Sequence, residues 1–217
     1  MKFFIDSGNL RDIESLVSLG IIDGVTTNPS LMAKESGDPR AHIKKICDLV
    51  KGPVSAEVVA TDLAGMVKEG RELAKIDEHV VVKVPFTRAG VEACKTLASE
   101  GIRVNVTLIF TAAQALIAAK VGATYVSPFV GRLDDIASDG MGLIEAIVEV
   151  FVNYSFKTEI LVASTRGPMH IVEAARMGAH ICTCPPAVIE ACFNHPLTDI
   201  GLAKFLKDWE KAQAARA

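Results

Sequence analysis

Eight short runs rich in β-branched and apolar residues recur along the chain, each followed by a stretch with helical period. This alternation limits the fold to repeated βα units around a parallel sheet. The runs lie near residues 2–6, 24–28, 54–59, 80–85, 103–109, 124–130, 159–164 and 180–184, and segments such as Leu63 to Ile76 and Ala89 to Ser99 carry the helical spacing between them. Eight such units in 217 residues predict an α/β fold, a closed (β/α)8 barrel of the TIM type, near the lower size limit of that architecture. The competing arrangement is an open doubly wound sheet. Against it, the chain has no G-x-G-x-x-G turn, and its strands carry polar residues near their C-terminal ends.

Local marks agree with this division. Asp62 suits the cap of the helix after strand three, Thr87 or Arg88 the start of the next, and Thr111 the cap after strand five, while Gly122 and Gly178 suit helix ends. Leu202, Phe205, Leu206 and Trp209 share one face of a final helix over 197–217, which is free to pack on its own barrel or on a neighbouring copy. Residues 1–217 read as one domain, since no stretch resembles a linker.

Bulk charge narrows the partners. A net charge of −3 gives no basic footprint for nucleic acid and favours a small-molecule partner. No apolar run approaches the roughly 20 residues of a membrane span, and the first residues are interrupted by charge too early for a signal peptide. A cytoplasmic protein without a membrane partner is the expectation. The five cysteines, Cys47, Cys94, Cys182, Cys184 and Cys192, show no C-x-x-C spacing and read as reduced thiols. The histidines show no ligand spacing either, so no metal is expected.

Lys83 is the unusual member of strand four, a lone cation within Val80-Val81-Val82-Lys83-Val84-Pro85-Phe86. Taking an ammonium out of water disfavours its charged form and makes an amine nucleophile available, the kind that forms Schiff bases with carbonyl compounds. The alternative is a strand-end lysine whose stem packs and whose head reaches water. Strand parity separates the faces: Val81 and Lys83 point one way, Val80, Val82 and Val84 the other. The same rule groups Phe4 with Asp6, Thr26 with Asn28, Ser55 with Glu57, Arg103 with Asn105 and Thr107, Ser127 with Phe129, and Val162 with Ser164. Polar groups recurring on one face near successive C-terminal strand ends are expected to converge at the top of the barrel, where barrel enzymes place their chemistry.

Each member also has a plainer role open to it. Asp6 equally suits capping a helix that begins near Ser7, and Asn28 suits a turn before Pro29. Thr107 fits as an ordinary β-branched strand residue. Glu57, among alanine and valine, calls for a partner or a function, because an unpaired buried carboxylate is costly. Arg132 and Arg166, with Ser164, form a natural phosphate grip after late strands, unless Arg132 pairs with Asp134 or Asp135.

These stretches resemble the transaldolase family over nearly the whole chain. The matching segments are Phe4-Ile5-Asp6, Gly24-Val25-Thr26-Thr27-Asn28-Pro29-Ser30, Val81-Val82-Lys83-Val84-Pro85, Asn105-Val106-Thr107-Leu108-Ile109-Phe110, Ser127-Pro128-Phe129-Val130-Gly131-Arg132 and Ala163-Ser164-Thr165-Arg166. The short length is similar to the small transaldolase and fructose-6-phosphate aldolase branch. That branch implies a barrel whose C-terminal helix, here 197–217, crosses onto a neighbour, a homo-oligomer of decamer type, sugar-phosphate substrates and no cofactor.

The resemblance implies that Lys83 forms an imine with fructose 6-phosphate or sedoheptulose 7-phosphate and that Asp6 takes the proton from the hydroxyl beside the breaking bond. It further implies that Glu57 and Thr107 position a proton-shuttling water. Asn28 and Asn105 would hold hydroxyls, Thr26, Ser127 and Phe129 would line the substrate site, and Arg132, Ser164 and Arg166 would bind phosphate. The enzyme class implied is a transaldolase of the pentose phosphate pathway, with glyceraldehyde 3-phosphate or erythrose 4-phosphate as acceptor. Fructose-6-phosphate aldolases of the branch carry glutamine at the position of Glu57 and tyrosine at that of Phe129, so both residues here are of transaldolase type. Thr165 departs from the phenylalanine often found at its position. A fructose-6-phosphate aldolase, or a sugar-phosphate-binding protein without turnover, are the alternatives.

Overall fold

The structure is a computed structural model describing residues 1–216; Ala217, the last residue of the expected 197–217 helix, lies outside the described residues. Eight parallel strands close in sequence order, β1 (Lys2–Asp6), β2 (Gly24–Thr26), β3 (Val54–Glu57), β4 (Val80–Pro85), β5 (Val104–Ile109), β6 (Tyr125–Pro128), β7 (Glu159–Val162) and β8 (Ile181–Cys184). The seam is closed by β8 against β1, from Lys2 opposite Ile181 to Ile5 opposite Cys184. The expected barrel is therefore the fold, although β2, β3, β6 and β7 end before the runs seen in the sequence.

Helices α1 (Leu10–Val17), α2 (Pro29–Met32), α3 (Pro39–Val50), α4 (Leu63–Ala74), α5 (Arg88–Ser99) and α6 (Ala112–Lys120) cover the first half. The second half carries α7 (Val130–Asp134), α8 (Gly140–Asn153), α9 (Pro168–Met177), α10 (Pro186–Ala191) and α11 (Pro196–Ala214). The side chains of Asp62, Thr87 and Thr111 cap α4, α5 and α6, and Thr111 forms a reciprocal capping box with Gln114. Gly178 closes α9 in the left-handed conformation, as its place in the sequence suggests. Among the described residues no helix is long and apolar enough to cross a membrane.

The apolar residues divide into two shells. The larger lies between strands and helices, and holds Ile5, Val25, Val82, Val106, Val126, Ile160 and Val162. The smaller fills the barrel with Phe4, Val81, Tyr125, Leu161, Ala163 and Ile181. Gly24 permits that filling, because a Cβ there would stand 2.6 Å from the Phe4 ring.

Two strand ends depart from simple alternation. In β5 the register against β6 shifts between Val106 and Ile109, and Leu108 takes φ 59°. This bulge inserts one residue, so Thr107 faces inward while Ile109 returns to the outer shell. In β7 the expected parity was inverted: Leu161 and Ala163 face the barrel, Val162 faces the helices, and Ser164 follows with φ 62°. The run Ile160-Leu161-Val162-Ala163 is apolar on both faces, so alternation carried no signal there.

α11 stands apart from both shells. It contains no buried residue, and Leu197, Phe205 and Trp209 are 70%, 72% and 60% exposed.

Candidate active site

Lys83 is 4% exposed on the inner face of β4. Its Nζ lies 3.0 Å from Glu57 Oε2 on the adjoining β3, where Glu57 and Lys83 are register partners. It also donates to the backbone carbonyl of Thr27 at 2.9 Å. An ammonium has three protons, so two are assigned by the protein. The pair answers the question raised by a carboxylate among apolar neighbours: each charge offsets the other's loss of water.

Asp6 ends β1 and is not a helix cap, since α1 begins at Leu10 and is capped by Asn9. Its Oδ1 accepts from Thr26 Oγ1 at 2.8 Å, and Thr26 Oγ1 lies 2.6 Å from Thr183 Oγ1 of β8. Burial pushes the Asp6 carboxyl above the usual carboxylate range, against the opposing pull of the Lys83 charge and the Thr26 hydroxyl. Glu57 thus sits beside the lysine in an ion pair, while Asp6 ends β1 with one carboxylate oxygen bonded to Thr26.

Below the lysine, Asn105 binds Ser55 and Ser127 across three strands. Its Nδ2 donates to Ser55 Oγ at 3.1 Å, and its Oδ1 accepts from Ser127 Oγ at 2.7 Å. One amide proton remains for another acceptor. Thr107 Oγ1 is buried and has no protein hydrogen-bond partner among the described residues. Leaving such a hydroxyl unpaired costs about 1–3 kcal/mol, which favours any polar group that reaches it. Thr26, Lys83, Thr107, Ser127, Phe129, Leu161, Ala163 and Thr183 line a common interior space.

Asn28 has two tasks. Its Oδ1 caps α2 by accepting from Leu31 N at 3.0 Å, which leaves the amide N–H pair available. Together with Thr27 and Glu57 it also borders a groove of about 750 Å³ that runs outward between α2, α3 and α4.

On the opposite rim, the Arg132 guanidinium sits 4.9 Å from the centre of the Phe129 ring, a cation–π contact, so it does not form the simple ion pair considered from sequence. Arg166 donates to Asp135 at 2.7 Å, and both arginines hold the Asp135 carboxyl below its usual range, Arg166 foremost. The two loops are drawn together at Gly131, whose N–H donates to Ser164 O at 3.1 Å and whose missing Cβ would lie 2.1 Å from that oxygen. Arg103 shares the parity of Asn105 but precedes β5 at the other mouth, where it donates to Glu78 O. Among the described residues no group of three His, Cys, Asp or Glu side chains is arranged to hold a metal ion.

Sequence reasoning overlooked Thr183 and the Thr27 carbonyl. Thr183 stands between two cysteines in an apolar strand, and the alternation of Ile181 with it was the available sign. A carbonyl is invisible to residue type, although Thr27 lies within the quoted Thr-Thr-Asn-Pro segment.

The model for transaldolase/fructose-6-phosphate aldolase matches residues 3–216. Among curated proteins, a probable transaldolase of Methanococcus maripaludis is 60% identical over 210 residues, 97% of this chain and 98% of its own length. Probable transaldolases of Kosmotoga olearia and Nitrosopumilus maritimus are each 58% identical, covering 97% and 99% of this chain and 97% of their own lengths. With a buried lysine, its carboxylate partner and a second carboxyl at the C-terminal mouth of an eight-stranded barrel, and with likeness along its whole length, the chain belongs to the transaldolase/fructose-6-phosphate aldolase family.

Proposed function

We propose that the protein is a transaldolase, transferring a dihydroxyacetone unit from a ketose phosphate to an aldose phosphate through a Schiff base on Lys83. The observation that carries this reading is the buried Lys83 Nζ 3.0 Å from Glu57, in the same barrel mouth as Asp6.

Glu57 takes the surplus proton from Lys83, and the free amine attacks the keto carbon to give a carbinolamine. Loss of water gives a protonated imine; Glu57 and Thr107 position the water that moves protons in this step. Asp6 then accepts the proton of the hydroxyl on the carbon beyond the bond that breaks. The bond's electrons pass to the iminium nitrogen, an aldose phosphate leaves, and an enamine remains on the lysine. An acceptor aldehyde captures the enamine with return of the proton, and hydrolysis frees the new ketose and Lys83. Asn28 and the remaining Asn105 proton hold substrate hydroxyls, with Thr26 and Ser127 shaping the wall. Arg132, Ser164 and Arg166 bind the phosphate, for which Arg166 exchanges its Asp135 partner.

Sedoheptulose 7-phosphate and fructose 6-phosphate fit as donors, and glyceraldehyde 3-phosphate and erythrose 4-phosphate as acceptors, in the cytoplasmic pentose phosphate route. Phe129 supports transfer over simple cleavage, because a phenyl ring has no proton with which to help release the enamine. The exposed apolar face of α11 supports a homo-oligomer in which that helix lies against another copy.

The test is release of glyceraldehyde 3-phosphate from fructose 6-phosphate, followed through a coupled dehydrogenase with and without erythrose 4-phosphate. Steady release that requires the acceptor is expected. Equal release without it would make the protein a fructose-6-phosphate aldolase, and no release at all would favour a binding protein.

A further inference from the structure

A hydroxyl has a single proton, and that fact fixes the direction of a hydrogen-bond chain at Asp6. Thr26 spends its proton on Asp6 Oδ1 at 2.8 Å. In the 2.6 Å contact between Thr26 and Thr183, the donor must therefore be Thr183. The chain runs from β8 through β2 to the end of β1, with every proton pointing toward the carboxylate. Thr183 and Thr26 are almost wholly buried, at 1% and 2% exposed, so bulk water does not compete for these bonds. Thr183 is itself held in place on two sides: its strand pairs with β1, and its carbonyl accepts from Thr165 Oγ1 at 3.2 Å.

We propose that Thr183 is a positioning residue of the reaction: by donating to Thr26, it fixes Thr26 as donor to Asp6 Oδ1 and leaves Oδ2 as the oxygen that receives the substrate's proton. This rests on Asp6 being the base. Among the described residues Oδ2 has no protein hydrogen bond, so the carboxylate presents one occupied and one free oxygen. Hydrogen bonds in series polarise one another, so the Thr183 donation also makes Thr26 a stronger donor. Burial raises the Asp6 carboxyl, Lys83 from β4 and Thr26 from β2 lower it, and Cys184 of β8 is a further titratable neighbour that senses its charge.

A chain in series makes a prediction that two independent contacts do not. The carboxyl of Asp6 is titrated by 13C NMR in the full-length protein, assigned with Asp6→Asn, and compared with the pH dependence of kcat/KM. Thr26→Val removes the direct bond and should raise the Asp6 pKa by about 1–2 units. Thr183→Val removes the polarising donor and should raise it by a smaller amount, roughly 0.3–0.7 unit. Thr183→Ser should restore the original value, which a purely structural loss would not. The double variant should match Thr26→Val alone, since Thr183 acts only through Thr26.

The sign follows from the chemistry. The base must be ionised, so a higher pKa moves the acid limb of kcat/KM to higher pH, with the effect in kcat larger than in KM. An unmoved Asp6 titration in Thr183→Val, or additive shifts in the double variant, would overturn the proposal. A moved titration with an unmoved acid limb would leave the chain standing and remove Asp6 as the base, so the two readings fail separately.

Discussion

At the scale of single residues, Lys83 has three protons and two fixed protein partners, a carboxylate and a carbonyl. It is held tightly without being fully satisfied, which suits the role proposed for it, giving up a proton and then bonding to carbon. Lys83→Ala should lower turnover by about 10³-fold or more while the circular dichroism spectrum stays unchanged. Borohydride reduction in the presence of fructose 6-phosphate should trap a substrate-sized adduct on the native protein and none on this variant. Phe129 makes a subtler contribution: its ring packs 5.9 Å from Phe110 and beneath Arg132. Phe129→Tyr is expected to raise acceptor-free cleavage of fructose 6-phosphate several-fold. If cleavage does not rise, the enamine is held by Glu57 or by the shape of the pocket and not by want of a hydroxyl.

Between residues and the whole lie the elements, and the sharpest constraint among them is Gly131 at the start of α7. Its backbone presses against the Ser164 carbonyl after β7, bringing Arg132 and Arg166 onto one rim. Gly131→Ala should destabilise the fold by about 1–3 kcal/mol through overpacking. It should also raise KM more for phosphorylated than for unphosphorylated aldehydes, measured side by side at a temperature where the variant is folded. The same level shows what a sequence can disclose. All eight strands were visible because β-branched runs alternate with helical period, and Lys83, Glu57 and Asp6 stood out because charge in an apolar run is conspicuous. The inner face of β7 was not visible, because four successive apolar residues satisfy both faces. The bulge at Leu108 was not visible either, since leucine gives no sign of a positive φ. Thr183 was passed over because only its contact with Thr26, from a strand far away in sequence, gives it meaning.

For the molecule as a whole, α11 sets one expectation and the barrel seam another. A 19-residue helix without a buried side chain draws little stability from its own barrel. Phe205→Asp combined with Trp209→Asp should reduce the particle mass seen by sedimentation while leaving the barrel's circular dichroism intact. An unchanged mass would exclude α11 as the contact between copies. The seam has a different consequence, for synthesis on the ribosome. β1 emerges first, yet its second neighbour, β8, is separated from it by about the whole length of the barrel, from Lys2 to Ile181. Until the last strand has left the exit tunnel, β1 presents a bare edge, open to pairing with other nascent chains. The Asp6–Thr26 bond joins β1 to β2, but the Thr183 hydroxyl behind it comes from β8, whereas the bonds around Lys83 run from β4 to β3 and to Thr27 just after β2. A nascent chain therefore has every partner of Lys83 at hand before those around Asp6 are complete, and the last link, from Thr183, arrives only with closure.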